Sequence, residues 1–137
     1  MQKTYKKVLV LCTGNSCRSI IAEALINANI AEVTAHSSGV KPSKNVNINA
    51  KKVLTHNKIW NDSYHSKDLS SIEHIDFDLV ITVCDNAKEN CPIFPKNTKV
   101  IHIGFVDPDG KEYKEFEITY DEIRKRLLPI VKKELSI

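Results

Sequence analysis

The sequence predicts an α/β protein built on a parallel sheet with helices on both faces. Three observations carry that expectation. Short, strongly apolar runs, Val8-Leu9-Val10-Leu11 and Leu79-Val80-Ile81-Thr82-Val83, read as strands buried on both sides. They alternate with segments whose apolar residues recur at helical spacing. The chain has 137 residues, enough for one domain with a hydrophobic core and too few for two ordinary ones.

Each element follows in order. Residues 7–11 form the first strand, and the next helix carries Ile21, Ala24, Leu25 and Ala28 on one face. Residues 31–37 give a short second strand that ends at Ser38-Gly39. Residues 42–46 are loop, and Ala50, Val53, Leu54 and Asn57 mark a second helix. Residues 61–71 are polar and poorly periodic, so loop and short helical turns are expected. Residues 79–83 and 100–103 are further strands. In the last long helix Phe116, Tyr120, Ile123, Leu127, Ile130 and Val131 keep helical spacing, and Pro129 is expected to kink or interrupt it. No internal repeat, low-complexity tract or linker divides the chain.

Composition narrows the function classes. A formal net charge of +3 suits a small anionic substrate and is too weak to argue for nucleic acid or a membrane surface. The N-terminal apolar run is too short for a signal peptide, and no stretch has transmembrane length. The cytoplasm is therefore the expected compartment, where the four cysteines start out reduced. Their spacings lack the tight knuckle of common zinc sites, and His36, His56, His65, His74 and His102 are scattered without ligand spacing.

The most informative segment is Cys12-Thr13-Gly14-Asn15-Ser16-Cys17-Arg18-Ser19, at the junction of the first strand and helix. A short loop that wraps back before a helix turns backbone N–H groups inward, and the helix N-terminus adds partial positive charge. Arg18 can close the ring with a planar fork that matches two oxygens of a tetrahedral anion. Cys12 then lies at the bottom of the cup. The donors that hold an oxyanion also favour a thiolate, so Cys12 is expected to have a lowered pKa and to act as a nucleophile. The alternative, a merely buried strand-end cysteine, leaves this arrangement unused.

Cys12 to Ser19, with Ala22-Glu23 after it, resembles the active-site loop of the low-molecular-weight tyrosine phosphatases and of the arsenate reductases built on the same fold. The resemblance extends through Ser37-Ser38-Gly39, Cys84 to Pro92 and Asp107-Pro108. It implies a doubly wound, four-stranded sheet of order 2-1-3-4 in a single domain of residues 1–137. It also implies a substrate-binding loop of Thr13, Gly14, Asn15, Ser16, Cys17 and Arg18, a Ser19 that hydrogen-bonds the Cys12 thiolate, and Asp107 as general acid. Asn15 is expected to shape the loop by tolerating an unusual backbone conformation, and Cys17 to be structural. Active sites of such sheets lie beyond the C-terminal strand ends, where Cys12, Cys84 and the Asp107 loop would all fall.

The second cysteine pair divides the two activities. Cys84-Asp85-x-Ala87-x-x-x-Cys91-Pro92 resembles the pattern of the thioredoxin-coupled arsenate reductases, and a phosphatase has no chemical need for it. The resemblance implies a relay in which Cys12 takes up arsenate, Cys84 forms a disulfide with Cys12, and Cys91 takes over that bond for reduction by thioredoxin. Thioredoxin would be the external reductant, with no tightly bound cofactor and a monomeric enzyme. If residues 85–90 are helical, with Asp85 and Asn86 as starting caps, Cys84 and Cys91 lie about 10.5 Å apart along the axis. A disulfide needs Cα atoms within roughly 7 Å, so that helix would have to unwind.

Some reductases of this type bind a monovalent cation such as potassium beside the loop. Asn15, Glu23, Ser37, Ser66 and Asp68 approximately match its ligands, with Ser66 where Thr is usual. Ile20 stands where Gln is frequent, and Val106 where an acidic residue is common. Two rivals remain: a phosphatase using Cys12, Arg18 and Asp107, and a non-catalytic anion-binding or redox-sensing module. The sequence Asp107-Pro108-Asp109-Gly110 lacks the aromatic pair that follows Asp-Pro in many tyrosine phosphatases.

Overall fold

A computed structural model describes residues 5–95 and 97–137. Strand β1 (Lys6–Cys12) leads through a five-residue loop into α1 (Arg18–Asn29). Then come β2 (Val33–Gly39), α2 (Ile48–His56), a 3₁₀ turn (Leu69–Ser71), β3 (Leu79–Thr82), α3 (Asp85–Glu89), β4 (Lys99–His102) and α4 (Tyr113–Glu134). The four strands are parallel in the order β2-β1-β3-β4. The expected α/β class and strand order are both present.

The apolar runs explain the centre of this sheet. Val8, Leu9, Val10 and Leu11 of β1 are fully buried, as are Leu79, Val80 and Ile81 of β3, because a central parallel strand has no solvent face. Around it α1 packs on β1, β2, α2 and α4, and α2 also meets α4. Ile21, Ala24 and Leu25 are buried along with every other residue from Ser19 to Ile26, whereas Ala28 is exposed. Phe116, Ile123, Leu127 and Val131 form the buried stripe of α4.

Two boundaries differ from expectation. Strand β2 begins at Val33 because Ile30 first closes α1, its N–H bonding to the Ile26 carbonyl, and then accepts from the Val33 N–H. Helix α4 continues through Pro129 without interruption. The proline ring sits on the exposed face, and the apolar stripe on both sides of it holds the helix to the core. That packing offsets the roughly 3 kcal/mol that an internal proline costs.

Parallel register places the functional ends together. Cys12 lies level with Gly39, Leu11 with Thr82, and Thr82 with His102. The loops after β1, β3 and β4 therefore leave the sheet at one edge, the C-terminal edge on which such folds build sites.

Candidate active site

The loop of residues 13–17 is shaped by what its carbonyls do. The N–H groups of Val40, Lys41, Ser43 and Asn47 donate to the carbonyls of Cys12, Thr13, Gly14 and Ser16, at 2.8–3.0 Å. Ser66 Oγ donates to the Asn15 carbonyl at 2.7 Å. Committing the carbonyls to these bonds leaves the loop amides for an anion. Asn15 takes the left-handed conformation (φ 52°) that the turn requires. Gly39 must lack a side chain, since a Cβ there would meet the Thr13 carbonyl oxygen at 2.4 Å.

Arg18 opens α1 and is nearly buried. Its Nη1 donates to the Phe105 carbonyl at 3.0 Å, and its Nη2 lies 3.4 Å from Asp107 Oδ2. Nε is buried and has no hydrogen-bond partner among the described residues. A buried, uncommitted donor on a permanent cation fits an anion held in the loop.

Cys12 sits at the base of this cup and is paired with Cys84. The expectation of a lowered Cys12 pKa is corrected here. The neighbouring Cys84 thiol and burial raise the Cys12 pKa, against the pull of Arg18 and the Thr13 amide. The Cys84 pKa is lowered to about 5, first by its hydrogen bond with Cys12, then by Thr13 and the Ala87 amide, with Arg18 adding charge. The physical reason is position: Cys84 is the N-cap of α3, and its sulfur accepts from Ala87 N–H at 3.4 Å. The cap role falls to Cys84 itself rather than to Asp85 or Asn86. Thr13 Oγ1 lies 3.2 Å from the same sulfur. The two thiols thus titrate as one coupled pair, and the hydrogen bonds from Thr13 and the Ala87 amide favour the charge on Cys84.

Helix α3 follows the expected segment and is short, with Asn90 as its C-cap. Cys91 follows it, half-buried, with burial pushing its pKa up. Cys17 is buried and pushed up to about 12, chiefly by desolvation, in keeping with a structural role. All four thiols are free.

The loop after β4 brings Asp107 to the pocket rim. Asp107 is half-exposed and facing Arg18, and its Oδ1 accepts from the Asp109 N–H at 3.0 Å. Gly110 (φ 79°) turns the chain back, with Lys111 N–H donating to the Pro108 carbonyl.

Behind the loop, Asn15 is a hub. Its Nδ2 donates to Ser19 Oγ at 2.8 Å and to Ser37 Oγ at 2.9 Å, and its Oδ1 accepts from the Lys67 N–H at 3.0 Å. Ser37 in turn donates to Glu23 Oε1 at 2.6 Å. An oxygen that accepts from Asn15 leaves the Ser19 proton to donate elsewhere. Four of the five expected cation ligands, Asn15, Glu23, Ser37 and Ser66, are therefore joined in one network. Asp68 is the exception: it is exposed, and its carboxylate binds the Ser70 hydroxyl as a local turn.

Sequence reasoning read Asn86 only as a helix cap and missed Asn47. Asn86 Nδ2 donates to Thr13 Oγ1 at 3.0 Å, and Asn47 Nδ2 donates to Asp109 Oδ1 at 2.9 Å. An Asn just ahead of the apolar spacing of α2 signals a helix cap, which Asn47 is, but nothing in the sequence signals its second bond.

A thiol beneath an anion cradle, with a carboxylate at its rim, defines a cysteine-dependent enzyme acting on a tetrahedral oxyanion. A profile of the low molecular weight phosphotyrosine protein phosphatases matches residues 7–136, and the chain belongs to that family. It is 38% identical over 125 residues to arsenate reductase 1 of Staphylococcus haemolyticus, covering 89% of this chain and 92% of that one. The crystal structure of an arsenate reductase from Archaeoglobus fulgidus superposes with a TM-score of 0.77 at 29% identity, covering 90% of this chain and 98% of the other. A low molecular weight protein tyrosine phosphatase from T. tengcongensis shares the fold, with a TM-score of 0.83 at 24% identity over 93% of this chain and 99% of the other. Among the described residues no helix is long and apolar enough to cross a membrane.

Proposed function

We propose that this enzyme reduces arsenate to arsenite through Cys12, Cys84 and Cys91, and that thioredoxin restores the thiols. The observation that carries the reading is the pairing of Cys12 with Cys84 at the base of the anion cradle. Hydrolysis of a phosphate ester needs one sulfur there; two-electron reduction needs two. Similarity to proteins named arsenate reductase supports the same conclusion.

In this reading arsenate binds the loop amides and Arg18. Cys12 sulfur attacks arsenic while its proton passes to Cys84, and Asp107 protonates the departing hydroxide, which leaves as water. The product is an As(V) thiol adduct on Cys12. Cys84 then loses its proton and attacks the Cys12 sulfur. The sulfur–arsenic bond breaks, its electron pair stays on arsenic, and the freed oxyanion takes up the proton as arsenite. Two thiols have become one disulfide, and arsenic has gained two electrons. Cys91 displaces Cys12 by thiol exchange once α3 unwinds, and thioredoxin reduces the Cys84 to Cys91 disulfide. Helix α3 buries only Ala87 and is short, so this opening costs little.

A monovalent cation such as potassium would be held by Asn15, Glu23, Ser37 and Ser66. The donor set fits: all are oxygen ligands, and Glu23 is a buried carboxylate with no ion-pair partner within 4.0 Å among the described residues. The cation would offset the cost of burying an ionised Glu23, to which Lys67 contributes only in part. We place the enzyme in the cytoplasm and expect it to act as a monomer, with a weak phosphate-ester side reaction from the same Cys12.

The test is direct. Purified protein with arsenate, thioredoxin, thioredoxin reductase and NADPH should consume NADPH in proportion to arsenite formed. Absence of arsenate-dependent NADPH oxidation, alongside brisk cleavage of p-nitrophenyl phosphate, would return the phosphatase reading to first place.

A further inference from the structure

We propose that Asn47 is a positioning residue for the general acid, joining the loop that carries the nucleophile to the loop that carries Asp107. The inference rests on the reading of Asp107 as the acid. Asn47 makes three commitments at once. Its backbone N–H donates to the Ser16 carbonyl at 3.0 Å, which anchors it to the anion cradle. Its Oδ1 accepts from Asn49 N–H at 2.8 Å, the N-cap of α2. Its Nδ2 then has a fixed direction, and it donates to Asp109 Oδ1 at 2.9 Å.

Asp109 passes that placement on. Its backbone N–H holds Asp107 Oδ1 at 3.0 Å, leaving Oδ2 as the oxygen turned toward Arg18 and the pocket. A carboxylic acid whose Oδ1 accepts an N–H keeps its proton on the other oxygen, so Oδ2 is the atom that would protonate the leaving group. Val106, Asp107, Asp109 and Gly110 of the acid loop are exposed and Pro108 is buried; besides Asn47, the Asp109 carboxylate meets only a long 4.0 Å contact from the Cys17 thiol among the described residues. Rotation of Asp109 would swing its N–H away from Asp107 and let the carboxyl turn from the pocket. A misplacement of about 1 Å is enough to slow proton transfer severely.

The side chain's two bonds can be separated. Asn47→Ser keeps an oxygen for the α2 cap and the backbone bond to Ser16, but it cannot reach Asp109. Single-turnover loss of the free Cys12 thiol on mixing with arsenate, measured across pH, reads acid catalysis. Asn47→Ser should slow it roughly tenfold where Asp107→Asn slows it about a hundredfold. The rate should also lose part of its fall at high pH, the limb that reports a required acid. Affinity for inorganic phosphate should not change, because the loop amides and Arg18 are untouched. Asp109→Ala should match Asn47→Ser, the double variant should be no slower than either, and Asp109→Asn, which still accepts from Asn47, should restore the rate.

A wild-type rate for Asn47→Ser beside a slow Asp107→Asn overturns the inference and leaves the acid in place. Equal loss of phosphate affinity also overturns it, since the role would then lie in the cradle. A wild-type rate for Asp107→Asn removes the acid itself, a separate failure.

Discussion

Thr13 donates its hydroxyl proton to the sulfur of Cys84, across 3.2 Å. As donor the hydroxyl lowers the Cys84 pKa, and its oxygen accepts in turn from Asn86 Nδ2 at 3.0 Å. Asn86 is itself oriented by Asn90, whose Nδ2 donates to Asn86 Oδ1 at 2.8 Å. The charge on Cys84 is thus stabilised by a chain that exists only while α3 is folded. Unwinding α3 to reach Cys91 would dissolve it, so the stabilisation applies to the first thiol exchange and not to the second.

Thr13→Val should raise the Cys84 pKa from about 5 by roughly one unit. A thiolate is lost as pH falls through its pKa, so the variant should alkylate more slowly than wild type near about pH 6 and equally at high pH. Peptide mass spectrometry after iodoacetamide pulses, over a pH series, gives the curve for Cys84. Superimposable curves would show that the hydroxyl does not carry the charge.

Glu23→Gln tests the buried carboxylate. Burial raises the Glu23 pKa, opposed by Lys67 and the Ser37 hydroxyl. A raised acid binds more protons folded than unfolded, so its contribution is fullest below the ordinary carboxylate pKa and declines as pH rises toward the native value. At neutral pH the substitution, which keeps an acceptor for Ser37, should stabilise the protein by about 1 kcal/mol in choline chloride, measured by urea unfolding. In potassium chloride of equal ionic strength wild type should recover most of that difference. A variant equally stable in both salts and no better than wild type would remove both the strain and the cation.

Much of the site was legible because it depends on local chain chemistry. The apolar runs fix β1 and β3, and the spacing of Cys12 and Arg18 across a strand-to-helix junction fixes the cradle. Asn15 was legible as a left-handed residue for the same reason. What could not be read is where separate loops meet. The pKa of Cys12 depends on Cys84, 72 positions away in the chain, and the register of β1 against β3 decides that encounter. Asp68 matched a cation ligand only approximately, through the family resemblance, and its side chain closes a local turn. Pro129 reads locally as a break, and the buried face of α4 overrules it.

Arg18→Lys should cost most of the activity, on the order of a hundredfold or more in kcat/KM, with the charge retained. The guanidinium binds the Phe105 carbonyl and faces Asp107, and its buried Nε is left without a partner among the described residues. An ammonium cannot reproduce that fork. Phosphate affinity measured by calorimetry should fall in parallel, and an unchanged affinity would mean that Arg18 does not face the anion.

The relay makes the sharpest demand, because each thiol has a different task. Cys12→Ser should abolish arsenate turnover and any phosphate-ester cleavage, since both begin at that sulfur. Cys84→Ser should stop with arsenic on Cys12 and little arsenite released, for the electron pair that reduces arsenic is expelled only when a second sulfur attacks the first. Cys91→Ser should complete one turnover and halt with Cys12 joined to Cys84, because the buried disulfide has no partner to carry it outward. Neither of the last two should lose ester cleavage, which transfers no electrons. Rapid acid quench followed by peptide mass spectrometry distinguishes the three states. Sustained thioredoxin-coupled turnover by both Cys84→Ser and Cys91→Ser would exclude the relay, and with it the functional meaning of the hydrogen bond between Cys12 and Cys84.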